Sequence, residues 1–192
     1  MTKEDFIKQL RDLVAMKTLS SEIMENSRAL DYVQELIGEE IDVQRIHNGK
    51  AEVLMASVRK SDSPQYCYMV HLDVVAGRDD QFEMKIEDGK AIGRGTCDMK
   101  FSIPLGMALL NEAKEKGVDF CLMISTDEEV GGLEGAKVVA ERGFSPKVLI
   151  VPDGGENLNF VDKAKGVCQL KLVTKGMPAH ASRPWLGKNA ID

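Results

Sequence analysis

The chain has 192 residues, 43 % of them hydrophobic, enough for a packed core in one domain or a little more. A formal net charge of −6, with no Lys/Arg run interleaved with aromatics, removes the electrostatic footprint of a nucleic-acid partner. No stretch reaches the roughly 18 apolar residues of a membrane span, and the charged N-terminus MTKEDFIKQL does not read as a signal peptide, so a cytoplasmic protein without a membrane partner is expected.

In chain order, Thr2 is placed to cap a first helix, with Glu4 and Asp5 in its first turn and Phe6, Ile7, Leu10, Leu13 and Val14 on one face. A second helix carries Ala29, Leu30, Val33, Leu36 and Ile37, with Gly38 to end it. The period then shortens toward two over IDVQRI and AEVLMASV, separated by His47, Asn48 and Gly49, which predicts a hairpin with His47 as a turn residue. After the turn SDSP, Tyr66–Val70 is apolar at nearly every position, as in a strand covered on both faces, and runs into His71, Leu72 and Asp73.

A polar loop, a short strand-like piece around Phe82–Ile86 and an Asp88-Gly89 turn lead to GRGTCDMK, Gly93 to Lys100. A helix follows, with Pro104 tolerated in its first turn and Gly117 at its end. Then come a strand over Val118–Ser125, the stretch TDEEVGG (Thr126–Gly132), a helix over Leu133–Arg142 and a strand over Lys147–Val151 ending at Pro152 and Asp153. Alternating strands and helices with short connections predict an α/β fold, a mixed but largely parallel sheet flanked by helices. Val167–Gly176 alternates like an edge strand, and Gly187–Asp192 reads as the opening of a helix. Cys67, Cys97, Cys121 and Cys168 form no CxxC pair and read as reduced thiols.

Parallel strands place their C-terminal ends on one edge, so His71 and Asp73, then Glu128 and Glu129, then Asp153 are delivered to one rim, where open α/β sheets hold ligands. Each alone has an ordinary reading. Asp98, in a loop bracketed by Gly93 and Gly95, would serve as a helix N-cap, and Glu129 and Asp153 as surface acids. Together they point to a metal. Adjacent carboxylates repel and need a cation or a proton, and side chains at i and i+1 diverge, so Glu128 and Glu129 can serve different partners.

One imidazole with several carboxylates suits zinc, with cobalt or manganese as alternatives, and favours two ions about 3.5 Å apart sharing a bridge for which Asp98 is the best candidate. Such a pair activates water and polarises a carbonyl, while Glu128 is placed to take the water's proton and return it to a leaving amine. Asp73 would hold the second ring nitrogen of His71. The competing readings are a metal-free binding or dimerisation module on the same scaffold and a thiol hydrolase built on Cys97.

The ordered set HLDVV, GRGTCDMK, TDEEVGG, VPD and GMPAHASRPWLGKNAI resembles the co-catalytic zinc family of acetylornithine deacetylase, succinyl-diaminopimelate desuccinylase, aminoacylase-1 and glutamate carboxypeptidase, from about residue 66 to the end. The resemblance implies a zinc exopeptidase-like fold and an enzyme that hydrolyses the amide bond of an N-acyl amino acid or small peptide. His71, Asp98 and Asp153 would hold one zinc and Asp98 with Glu129 the other. Glu128 would be the general base and Asp73 the residue orienting His71. His180 would stabilise the oxyanion in a partner subunit's site, and Asn189 would contact substrate. It further implies that residues 1–164 form the first part of a metal-binding catalytic domain and 165–192 begin an α+β lid domain through which homodimers form.

Two features depart from the family pattern. The loop after HLDVV is short and lacks a Trp, with Phe82 as its substitute, and Phe101 stands where a small residue is usual. The family's last ligand is a late His, whereas the three histidines here are His47, His71 and His180. The expectation is therefore a fragment with at most one well-occupied metal and little activity.

Overall fold

The computed structural model describes residues 1–154, 159–161, 163, 165–168 and 170–191. The chain divides into two compact units, one reaching residue 156 and the other starting at 157. The boundary expected between 164 and 165 falls on Ala164, outside the described residues. Among the described residues no helix is long and apolar enough to cross a membrane.

In the first unit, helix α1 (Lys3–Ala15) starts at Thr2 with a reciprocal cap: the Thr2 hydroxyl accepts from Asp5 N–H and the Asp5 carboxylate accepts from Thr2 N–H. Helix α2 (Ile23–Ile37) ends at Gly38. The hairpin strands β1 (Asp42–Asn48) and β2 (Ala51–Ser57) are joined by Gly49-Lys50. His47 is thus not a turn residue. The register Asn48↔Ala51 leaves only two residues for the loop, and His47 pairs across the strands with Glu52, its Nε2 3.3 Å from Glu52 Oε1.

Strand β3 (Tyr66–His71) leads through a 3₁₀ turn at Asp79–Phe82 to the small hairpin β4 (Lys85–Glu87) and β5 (Lys90–Ile92). Helix α3 (Ser102–Lys116) closes at Gly117, whose φ of 67° is the left-handed conformation that glycine adopts without strain. Strand β6 (Phe120–Ser125), helix α4 (Ala136–Glu141) and strand β7 (Val148–Ile150) complete the unit. Helix α4 is shorter than the helix expected over Leu133–Arg142, because the Asp127 carboxylate accepts the N–H groups of Glu134 and Gly135 and holds them in a turn.

The main sheet runs β1-β2-β6-β3-β7. Strands β1/β2 and β2/β6 pair antiparallel, while β6/β3 and β3/β7 pair parallel, so the sheet is mixed as expected. Alternation along the strands splits the core. Leu54, Tyr68, Val70, Leu122 and Ile124 face α1, α2 and α3, whereas Val53, Met55, Cys67, Cys121 and Met123 face Val139 of α4. All four cysteines are free, Cys67 and Cys121 being buried. Chain order along the parallel part runs from β3 outward to β6, then across to β7. The strand order therefore reverses beside β3, and the loops after β6, β3 and β7 are neighbours.

In the second unit, Met177 and Lys188 form an antiparallel bridge with N–H to O distances of 2.9 Å both ways, and Pro184–Leu186 is a 3₁₀ turn. The helix expected over Gly187–Asp192 is not formed across 187–191, since that bridge draws Lys188 into extended pairing; Asp192 lies outside the described residues. The strand expected over Val167–Gly176 carries no regular structure at 167–168 and 170–176, and Gln169 lies outside the described residues. Leu170 and Leu172 are 91 % exposed there, with no strand paired to them among the described residues.

Candidate metal centre

His71 is the last residue of β3 and is buried, with 2 % exposure. The ring lies against its own loop, and Nδ1 donates to the backbone carbonyl of Asp73 at 2.9 Å. That bond fixes the tautomer of the neutral ring and turns the Nε2 lone pair outward. Three carboxylates meet Nε2: Asp98 Oδ1 at 3.0 Å, Glu128 Oε2 at 3.8 Å and Asp153 Oδ2 at 3.8 Å. They come from three different loops. Their partial exposure, 62 %, 49 % and 31 % for the side chains, opens the cluster to solvent.

The carboxylate of Asp73 has a further task that its spacing from His71 did not suggest. It stands 3.5 Å from His71 Nδ1, close enough to act on the ring's charge, while the carbonyl of the same residue is nearer at 2.9 Å. Its oxygens accept from Ser20 Oγ at 2.8 Å and from the N–H groups of Glu128 and Glu129, each at 3.1 Å. Asp73 thus caps the 3₁₀ turn Glu128–Val130 from across the sheet. Burial pushes its carboxyl up, but His71, Ser20 and the Glu129 N–H outweigh burial and hold it below the usual range.

Glu129 Oε1 accepts from Val75 N–H at 3.2 Å, so Glu129 leans toward the β3 loop while Glu128 leans toward His71. The two neighbours diverge as adjacent side chains must. Burial lifts the Glu129 carboxyl, and the Asp98 charge adds to it, while His71 opposes. Glu128 is raised too, by burial first, with Asp153 and Glu129 adding and His71 opposing. Burial alone would lower the His71 pKa, yet Asp73 and Glu128 raise it to about 9.

The donor set suits a divalent ion. His71, Glu128 and Asp153 offer ligand atoms that all lie within 4.8 Å of one another, and one imidazole with several oxygens is the chemistry of zinc and its first-row neighbours. Asp98 does not act as a helix cap: α3 begins after Phe101 with no side-chain cap bond. Cys97, next to Asp98, is exposed.

His180 and Asn189 lie in the second unit. His180 Nδ1 accepts from Ser182 N–H at 3.2 Å and meets Ser182 Oγ at 2.8 Å. Asn189 Oδ1 accepts from Ile191 N–H at 3.1 Å.

Several supporting residues had no role in the sequence reading, although Thr126, Asp127 and Lys100 lie inside the quoted stretches TDEEVGG and GRGTCDMK. Thr126 Oγ1 donates to Glu52 O at 3.1 Å and accepts from Glu52 N–H at 2.9 Å, pinning the start of the acidic turn to β2. Asp127 holds the far side of the turn, and Ser20 and Lys100 reach in from elements distant in sequence. For Lys100 the available signal was a lysine set between the apolar Met99 and Phe101.

A family model for peptidase family M20/M25/M40 matches residues 67–189. Among curated proteins, a probable succinyl-diaminopimelate desuccinylase of Staphylococcus epidermidis is 29 % identical over 205 residues, covering 100 % of this chain and 49 % of the relative. The chain spans about half the length of the curated relatives it matches. Among solved structures, human carnosine dipeptidase 1 superposes with a TM-score of 0.63 at 18 % identity, covering 79 % of this chain and 38 % of that one. An aminopeptidase of Bacillus cereus gives 0.61 at 19 % identity, covering 100 % and 54 %. These two likenesses establish the fold.

Proposed function

The chain belongs to peptidase family M20/M25/M40, and from that premise we propose that it carries the metal centre of a hydrolase cleaving the amide bond of an N-acyl amino acid or small peptide. The observation that carries the reading is the convergence of Asp98, Glu128 and Asp153 on His71 Nε2 from three separate loops. The family relatives named as desuccinylase and dipeptidase support the substrate class.

In this reading His71, Asp98 and Asp153 hold one zinc ion, and Asp98 with Glu129 contributes to a second, with cobalt or manganese as substitutes. The bound metal supplies Lewis acidity toward the substrate carbonyl and lowers the pKa of water. Everything else is done by side chains. Glu128 Oε2, beside His71 but on the diverging arm of the Glu-Glu pair, takes the proton from attacking water and returns it to the leaving amine. Asp73 keeps Glu128 and Glu129 in place by capping their turn, and its carbonyl holds the Nδ1 proton of His71, so that Nε2 is the nitrogen a metal would use.

His180 is assigned to the oxyanion in a homodimeric assembly: with Nδ1 accepting from Ser182, the neutral ring carries its proton on Nε2, as a donor. Asn189 is assigned to substrate, its Nδ2 taking no part in the Ile191 bond.

The test is a screen of N-succinyl, N-acetyl and dipeptide substrates with added zinc, run beside Glu128→Gln. The variant is expected to lose at least about a hundredfold in kcat while zinc affinity by calorimetry stays within about threefold. Unchanged kcat would remove Glu128 from proton transfer, and the absence of zinc binding to the parent chain would refute the metal centre.

A further inference from the structure

Lys100 is the largest fully buried side chain among the described residues, with 0 % exposure, and it stands two positions after Asp98. Burying a lysine amine is costly unless its N–H groups find acceptors. Here Nζ donates to the carbonyls of Leu13 and Met16, both at 2.8 Å, at the C-terminal end of α1. That helix has no basic residue in its own last turn. The amine meets the negative end of the helix dipole and adds a second donor to two carbonyls already used once, Leu13 O by Met16 N–H at 3.3 Å and Met16 O by Thr18 N–H at 2.9 Å.

Two sets of bonds lead from this anchor to the metal centre. On the Asp98 side, Lys100 N–H donates to Gly95 O at 2.8 Å, closing the loop around Asp98. Gly95, at φ 82°, leaves room for the lysine stem, since a Cβ there would lie 2.9 Å from both Cγ and Cδ of Lys100. On the α1 side, the strap Met16–Ser20 continues from the anchored carbonyl. Thr18 Oγ1 donates to Leu72 O, Val74 N–H donates to Thr18 O, and Ser20 Oγ donates to Asp73. One strap therefore ties the Asp98 loop to the loop that carries His71 and Asp73.

We propose that Lys100 is a positioning residue for the metal centre: its buried amine fastens the Asp98 loop to the Met16–Ser20 strap and so sets Asp98 against His71 Nε2. The proposal rests on the metal-centre reading above, and its test separates the two. Its consequence is that metal affinity depends on Lys100 beyond any effect on stability.

The experiment titrates the chain with Co²⁺, following the visible d–d bands and the affinity, for the parent and for Lys100→Met, Ser20→Ala, the double variant and His71→Ala. Each is assayed below its own melting transition. Folded Lys100→Met is expected to bind Co²⁺ about 10–100-fold more weakly with altered bands, in line with losses seen when ligand-supporting residues are removed. Ser20→Ala should lose less, and the double variant should fall short of the summed effects because both act through one strap.

Lys100→Met binding within twofold of the parent overturns the proposal and leaves the metal centre standing; strictly additive effects overturn the strap. Equal binding by the parent and His71→Ala overturns both readings. Should Lys100→Met melt too low, Lys100→Arg serves instead. It keeps the charge but cannot set one nitrogen between both carbonyls, so a loss of at least threefold is expected and unchanged affinity overturns the proposal.

Discussion

At Asp73 a carboxylate with no solvent exposure accepts three hydrogen bonds, two of them from the backbone of the very residues proposed to bind metal and move a proton. An ionised acceptor shared among three donors compensates its own desolvation. Replacing it by alanine removes the acceptor of two turn N–H groups and a hydroxyl. Asp73→Ala is therefore expected to cost about 2–3 kcal/mol in urea unfolding, the scale of a lost charged acceptor in a buried setting. A loss below about 1 kcal/mol would show that the turn is held by its own bonds, such as Val130 N–H to Asp127 O and Gly131 N–H to Glu128 O. The sequence pointed to Asp73 through its spacing from His71, and that spacing does bring the residue to the ring. It could not show that the carbonyl, and not the carboxylate, takes the Nδ1 proton, because both lie on the same residue at the same spacing.

Helix α3 shows the same division between local and distant causes. Its end at Gly117 was legible, since a left-handed stop after a lysine-bearing last turn is a local signal. The reason for Gly106 is not local: a Cβ there would lie 2.7 Å from Leu122 Cδ1 and 3.1 Å from Tyr68 Cδ1, both in the sheet beneath. Two effects of Gly106→Ala compete. Alanine gains up to about 1 kcal/mol in helix propensity, while overpacking a well-filled core costs about 1–3 kcal/mol. Leu122 is fully buried between α3 and the sheet and has little room to swing aside, so the overpacking should win. The urea midpoint of Gly106→Ala is expected to fall, by about 1 kcal/mol in free energy; a rise would mean that α3 can lift off the sheet at little cost. The shortened α4 is the converse case, in which Asp127 takes backbone donors that helical periodicity alone would have assigned to the helix.

For the molecule as a whole, a ligand that binds the folded chain and not the unfolded one must stabilise it. Zinc at a hundred times its dissociation constant contributes about 2.7 kcal/mol, which at about 2–4 °C per kcal/mol for a chain of this size raises Tm by about 5–10 °C. His71→Ala should abolish the rise and a chelator should reverse it; a Tm indifferent to zinc would count against the metal centre. The sequence by itself determined most elements of the first unit and their faces, because period and apolar runs report which side of a strand or helix a residue takes. It also determined the acids at three strand ends, each written beside its own strand. What only the tertiary structure decided is which of these lie side by side: the order β6-β3-β7 that brings Asp153 to His71, the antiparallel join of β2 to β6, and the anchoring by Ser20, Thr126 and Lys100 from remote parts of the chain. The reason is physical. Local patterning arises from the repeat of a single element, whereas strand adjacency and buried polar partners are set by hydrogen bonds between segments that the sequence does not pair.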